Sequence, residues 1–134
     1  MWDGGLKPVL HSFGDDVGNS DRDVDQSWMT DAVYDVLRKH NAACCIYELA
    51  GYQSPIEITA SWTYVRLHGP TGNKYQGSYS DAQLEMWAGR IESWKRKLDA
   101  VYVYFDNDDS AFAVNNALTL KRRLEDAVRR KRAI

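Results

Sequence analysis

Two short segments of the sequence alternate strictly between apolar residues and polar or aromatic ones. The first reads YVRLH at 64–68, and the second reads VYVYFD at 101–106. Because successive side chains of a β-strand point to opposite faces, each segment predicts a strand with one apolar face and one polar-aromatic face. An open parallel sheet covered by helices on both sides would be apolar on both faces. In a (β/α)8 barrel one face packs on the outer helices and the other fills the interior, so the alternation favours a barrel.

Helical periodicity separates and follows these strands. The segment SDAQ at 80–83 fits a capping box, and apolar residues then recur on one stripe as far as Leu98. Similar spacing predicts helices at 28–40 and 111–131, and the apolar run AACCIYE at 42–48 predicts one more strand. The order is therefore helix, strand, strand, helix, strand, helix. Strands joined by helical crossovers indicate parallel pairing and the α/β class.

Length and composition bound the domain organisation. A chain of 134 residues with 44% hydrophobic content predicts one globular domain. Residues 1–24 hold four glycines, one proline and no sustained period, which predicts an irregular leader ahead of a domain at 25–134. No run is apolar enough for a membrane span and no export signal is visible, so we expect a cytoplasmic protein. The adjacent Cys44 and Cys45 match no metal-binding spacing and are expected to be reduced packing residues.

Charge is distributed unevenly along the chain. Residues 1–26 hold six aspartates against one lysine and one arginine, whereas residues 121–132 hold seven basic residues against two acidic ones. A basic end of this kind could contact nucleic acid. We favour a solvated helix face, because Glu125 and Asp126 interrupt the run and permit local ion pairs.

The strands and the residues after them carry a family resemblance. The pattern YVRLHGP…Y.G.YS…L..WA..I..W, followed by VYVYFDND…AV.NAL.L, resembles the YecE-like family, also called domain of unknown function 72. The resemblance runs from Ser27 to Leu124. It implies that the chain is the C-terminal portion of a (β/α)8 TIM-type barrel, with about three parallel strands and their helices. It implies no particular reaction.

The resemblance also implies that the N-terminal strands are missing. A full barrel takes about 250 residues, which this chain does not have. We therefore expect either a truncated chain or a fragment that completes its barrel as a homo-oligomer.

Candidate site residues follow the ends of the predicted strands, where barrels place their active sites. Arg66, His68 and Asp106 are the catalytic candidates, since a carboxylate with a histidine can transfer protons and can bind a divalent metal. Arg66 and Asp106 could equally be a structural ion pair. The ligand-binding candidates are Glu48, Lys74, Asn107 and Asp108.

Lys74 lies in the glycine-containing loop GPTGNKY at 69–75, which follows the second of the predicted strands. Loops in this position of a barrel often bind phosphate through backbone N–H groups. One hypothesis is therefore an enzyme-like barrel that binds or hydrolyses a phosphate-bearing ligand, nucleic acid included, with or without a metal. The alternative is a non-catalytic remnant or interaction module in which the same residues form a structural network.

Overall fold

The computed structural model of the protein describes residues 9–10 and 29–134. Its strands are β1 Val9–Leu10, β2 Ala43–Leu49, β3 Tyr52–Gln53, β4 Trp62–Leu67 and β5 Ala100–Phe105. Its helices are α1 Asp31–Lys39, α2 Asp81–Lys95 and α3 Phe112–Arg132, with a 3-10 turn at Asp109–Ala111 just before α3. The predicted α/β class is confirmed.

The strands form one mostly parallel sheet. Its order is β1-β2-β4-β5, with all three pairings parallel, and β3 turns back antiparallel onto the end of β2. Over the described residues this sheet is open, and it does not close into a barrel. The three predicted strands correspond to β2, β4 and β5.

The strand β1 lies inside the leader that was predicted to be irregular, so that prediction is wrong at Val9–Leu10. The remainder of 1–24 lies outside the described residues. A pairing of two residues, Val9 with Ala43 and Leu10 with Cys44, is too short to leave a periodic pattern in the sequence.

The apolar face of the sheet packs against α2 and α3. The register places Ile46 beside Val65 and Val65 beside Val103 across three strands, so these side chains point to the same side. The core of this layer consists of Ile46, Val65, Leu67, Tyr79, Leu84, Trp87, Ala88, Ile91 and Leu120. The predicted strand faces are confirmed, and Trp87 of the predicted helical stripe lies in this core.

Two helix starts are fixed by side-chain caps. Ser80 Oγ accepts a hydrogen bond from the N–H of Gln83, and the Gln83 side chain accepts one from the N–H of Ser80, so the predicted capping box is present. Thr30 caps α1 in the same way through the N–H of Val33. In α1 the buried residues are Tyr34 and Leu37, and none of the described helices is both long and apolar enough to cross a membrane.

The connection from β2 to β4 contains no helix, and two hydroxyl groups hold it against β2. Ser54 Oγ accepts a hydrogen bond from the N–H of Tyr47 at 2.9 Å, and Thr59 Oγ1 accepts one from the N–H of Cys44 at 2.9 Å. Cys44 and Cys45 are both free and buried, as predicted. Burial raises the pKa of Cys45 to about 12, so this thiol stays protonated at neutral pH.

The basic run forms the second half of α3 and is partly neutralised by α2. Arg123 contacts Asp81 and Glu85, and Lys131 Nζ lies 2.5 Å from Glu92 Oε2. These pairs bridge the two helices, and Arg129 also forms a local pair with Asp126 at 3.9 Å.

Candidate functional site

A cluster of three charged or titratable side chains lies where β4 and β5 end. Oδ2 of Asp106 accepts hydrogen bonds from Arg66 Nε at 2.8 Å and from Arg66 Nη2 at 2.5 Å. The same oxygen lies 3.3 Å from Nδ1 of His68. We call these residues the Arg66–Asp106–His68 cluster. All three catalytic candidates are therefore brought together, on the polar-aromatic face of the sheet.

The sheet register explains this convergence. The N–H of His68 donates to the carbonyl of Glu48, and the N–H of Asp106 donates to the carbonyl of Leu67, so the ladders continue past the ends of β4 and β5. Arg66 and His68 are two residues apart and share a face, and Asp106 follows β5 on the neighbouring strand. Backbone hydrogen bonds between the strands thus fix the relative positions of the three residues.

Partial exposure leaves the ion pair in contact with solvent. The side chains of Arg66 and Asp106 are 30% and 27% exposed. Burial alone would lower the pKa of Arg66, but the hydrogen bond and the charge of Asp106 outweigh it and raise that pKa, so the guanidinium remains charged. The Asp106 carboxylate is also close enough to attract a protonated His68 imidazole. In general a guanidinium can bind an anion and an imidazole can exchange a proton, and these are the reactions that the residue types of the cluster allow.

His68 is shielded by the loop that follows β4. Its side chain is 2% exposed, and the ring of Tyr75 packs edge-on against it with the centroids 5.3 Å apart. The loop doubles back at Gly69, where φ is +116° and an added Cβ would lie 2.3 Å from the carbonyl oxygen of Gln76. His68 therefore lies at the predicted rim but beneath Tyr75.

Tyr75 was not among the residues predicted from the sequence. It lies in a polar, glycine-containing loop, and its own φ is +59°, an uncommon backbone conformation for an aromatic residue. Tyr75 is the first tyrosine of the Y.G.YS part of the family pattern, so the resemblance marked this position without giving it a role.

Glu48 points to the opposite side of the sheet from the cluster. Its Oε1 accepts a hydrogen bond from Trp87 Nε1 at 3.1 Å, and its carboxylate also bonds to the hydroxyl of Tyr79. Burial raises the pKa of Glu48, although both hydrogen bonds and the charge of Arg90 act to lower it. Glu48 thus links β2 to α2 and is not part of the cluster.

The raised pKa of Glu48 predicts a pH dependence of stability. Since the folded state keeps this proton to a higher pH than the unfolded state, the free energy of unfolding should fall as pH rises through that interval. We expect Glu48→Gln to remove this fall, so that the variant gains stability relative to wild type between about pH 4 and about pH 8. Chemical denaturation at the two pH values measures it.

Glu125→Gln is the matched control for this measurement, because Glu125 is exposed on α3. It should leave the pH dependence unchanged. A Glu48→Gln protein whose stability changes with pH as wild type does would contradict the assignment.

Asn107 is fully buried and belongs to an amide network that joins three segments. Its Nδ2 donates to the carbonyl of Gly77 and to Oδ1 of Asn116, both at 2.8 Å. Oδ1 of Asn116 also accepts a hydrogen bond from the N–H of Tyr79 at 3.1 Å. This network connects the loop after β4, the end of β5 and α3. Because Asn107 directly follows Asp106, the network also fixes the backbone next to the cluster.

Lys74 and Asp108 are both exposed. The contacts of the described residues join neither side chain to the cluster. Within residues 29–134, no group of three histidine, cysteine, aspartate or glutamate side chains is placed to hold a metal ion.

The comparisons with known proteins agree on one family. The family model described as "Protein of unknown function DUF72" matches residues 24–133. No curated protein matches the chain.

Two solved structures show the same fold over most of the chain. A DUF72 family protein from Thermotoga maritima is 25% identical, with a TM-score of 0.67 over 75% of this chain and 43% of its own. A DUF72 family protein from Enterococcus faecalis is 15% identical, with a TM-score of 0.66 over 75% of this chain and 44% of its own. The chain thus spans less than half the length of these relatives.

Proposed function

Since this chain belongs to the DUF72 family of proteins of unknown function, we propose that it forms the C-terminal part of a (β/α)8 barrel whose Arg66–Asp106–His68 cluster binds a phosphate-bearing ligand. Proton transfer by His68 would allow hydrolysis of that ligand. The observation that carries the proposal is the shared Oδ2 of Asp106, which holds a guanidinium and an imidazole together at the strand ends.

The barrel is supported by the two unlike faces of the sheet. Helices α2 and α3 pack on the apolar face, while the other face carries the rows Tyr64–Tyr102 and Arg66–Tyr104 across β4 and β5. Tyr102 and Tyr104 are 39% and 51% exposed. Such a face is typical of a barrel interior, with its active site at the carboxyl ends of the strands.

The chemistry of the cluster supports an anionic ligand. A guanidinium presents several N–H donors in a plane that matches the oxygens of a phosphate. An incoming phosphate would take Arg66 donors that now bond to Asp106, and Asp106 would keep its contact with His68. In hydrolysis of a phosphate ester, His68 would accept a proton from the water whose oxygen bonds to phosphorus, while the P–O bond to the leaving oxygen breaks and that oxygen takes a proton from solvent. Nucleic acid is one source of such a phosphate.

Titration of the full chain with inorganic phosphate and with a nucleoside monophosphate, followed by calorimetry, tests the proposal. We expect binding by wild type and a loss of affinity of about tenfold to a hundredfold in Arg66→Gln, because a charge-assisted hydrogen bond contributes about 1.5–3 kcal/mol. Arg122→Gln, which removes an exposed charge on α3, is the matched control and should bind as wild type does. Equal affinities for the two variants would overturn the phosphate site.

The alternative is a non-catalytic module, and the burial of His68 beneath Tyr75 favours it. In that case Arg66 and Asp106 serve only to satisfy each other's charge. Arg66→Gln would then lower the free energy of unfolding, while wild type would bind neither phosphate nor the nucleotide.

A further inference from the structure

An apolar groove of about 710 Å³ runs between β5 and α3 on the helix-covered side of the sheet. Its floor includes Val101, Val103 and Phe105 of β5, and its wall includes Leu124 and Val128 of α3. Grooves of this kind on a protein surface commonly mark interaction sites.

The strand beside the groove is open on one edge. β5 pairs with β4, and the described residues place no strand on its other side. The N–H of Asp106 donates to β4. Because the backbone N–H and C=O groups of successive strand residues point alternately to the two neighbouring strands, those of Val101 and Val103 point away from β4, to the open edge. An open edge next to an apolar groove can accept another strand with its helix.

We propose that a second copy of this chain occupies this surface, with its β1 paired to the β5 edge and its α1 packed against α3. This inference rests on the barrel of the proposed function. The order β1-β2-β4-β5 puts β1 and β5 at opposite edges, and each copy supplies four parallel strands. A two-fold axis that joins each β5 to the other copy's β1 gives eight strands, the number that closes this type of barrel.

The size of the relatives is consistent with two copies. The aligned part covers 43% of the Thermotoga maritima chain and 44% of the Enterococcus faecalis chain. Two copies would therefore supply the equivalent of most of one relative.

Size-exclusion chromatography with light scattering on the full chain, across a concentration series, tests the proposal. We expect twice the chain mass of 15.3 kDa for wild type. Val128→Asp places a charge in the groove and should raise the dimer dissociation constant by at least about tenfold. Asn115→Asp adds a charge at an exposed residue on the side of α3 that faces away from the groove, and it should leave the dimer intact.

Circular dichroism shows whether the variants keep their fold. If Val128→Asp unfolds, Ala117→Glu, which places a charge at an exposed residue lining the groove, replaces it and should weaken the dimer. A monomeric wild type, an open-ended polymer, or equal effects of Val128→Asp and Asn115→Asp would overturn the proposal.

The mass is measured without phosphate, so the two proposals can fail separately. If wild type is a dimer that binds no phosphate, the proposed phosphate site is wrong and the proposed dimer stands. If wild type is a monomer that binds phosphate, the proposed dimer is wrong and the phosphate site stands.

Discussion

Trp87→Ala is expected to lower the free energy of unfolding by about 3–5 kcal/mol, which is a large part of the 5–15 kcal/mol typical of a folded domain. Trp87 is fully buried in the core between α2 and the sheet. Its removal leaves a cavity, and it also removes the indole N–H that donates to Glu48. Because that carboxylate is partly buried, the lost hydrogen bond adds to the cost. Denaturant unfolding followed by circular dichroism measures the change.

Trp94→Ala is the matched control for this experiment. Trp94 lies on the same helix, with its ring centroid 6.5 Å from that of Trp87, but it is only partly buried. We expect a clearly smaller loss of stability, since less apolar area is returned to water. A loss in Trp94→Ala as large as that in Trp87→Ala would show that the core is not organised around Trp87.

The core was predictable from the sequence because its signals are local. The stripe from Leu84 to Leu98 has helical spacing, and Ser80 with Gln83 marks the start of that helix. Alternation in β4 and β5 assigns each side chain to a face, and parallel strands end at the same edge of the sheet. These facts were sufficient to bring Arg66, His68 and Asp106 together.

Glu48 was misplaced because its strand has no alternation. The run AACCIYE is apolar on both faces, and residues 43–47 of β2 are all buried, so the sequence does not say which face meets the helices. The register of β2 against β4, a contact between distant segments, decides this. Ile46 beside Val65 places Glu48 beneath α2.

The position of Tyr75 over His68 also could not be predicted from the sequence. It depends on a loop conformation that brings Gly69 against Gln76, and on a positive φ at Tyr75 itself. Neither property has a periodic signature. The sequence therefore predicts the position of His68 at the strand end but not its burial.

Gly69→Ala is expected to open this loop and to lower the free energy of unfolding by about 1–3 kcal/mol. The new Cβ would lie 2.3 Å from the carbonyl oxygen of Gln76, and the backbone φ of +116° is strained for any other residue. Relief of this clash should displace the segment that carries Tyr75 and weaken the hydrogen bond from the N–H of Gly69 to the Tyr79 hydroxyl. Denaturant unfolding measures the stability.

The same substitution should expose His68, and histidine modification with diethyl pyrocarbonate, followed by mass spectrometry, measures this. In wild type, exposed His40 should react and buried His68 should be protected, whereas in Gly69→Ala His68 should react as well. Gly72→Ala is the matched control in the same loop, because an added Cβ there meets no atom within 4 Å. If His68 stays protected in Gly69→Ala, the loop is not what shields it. If wild-type His68 is already reactive, Tyr75 leaves the ring open to a ligand, and the case for a non-catalytic module loses its main support.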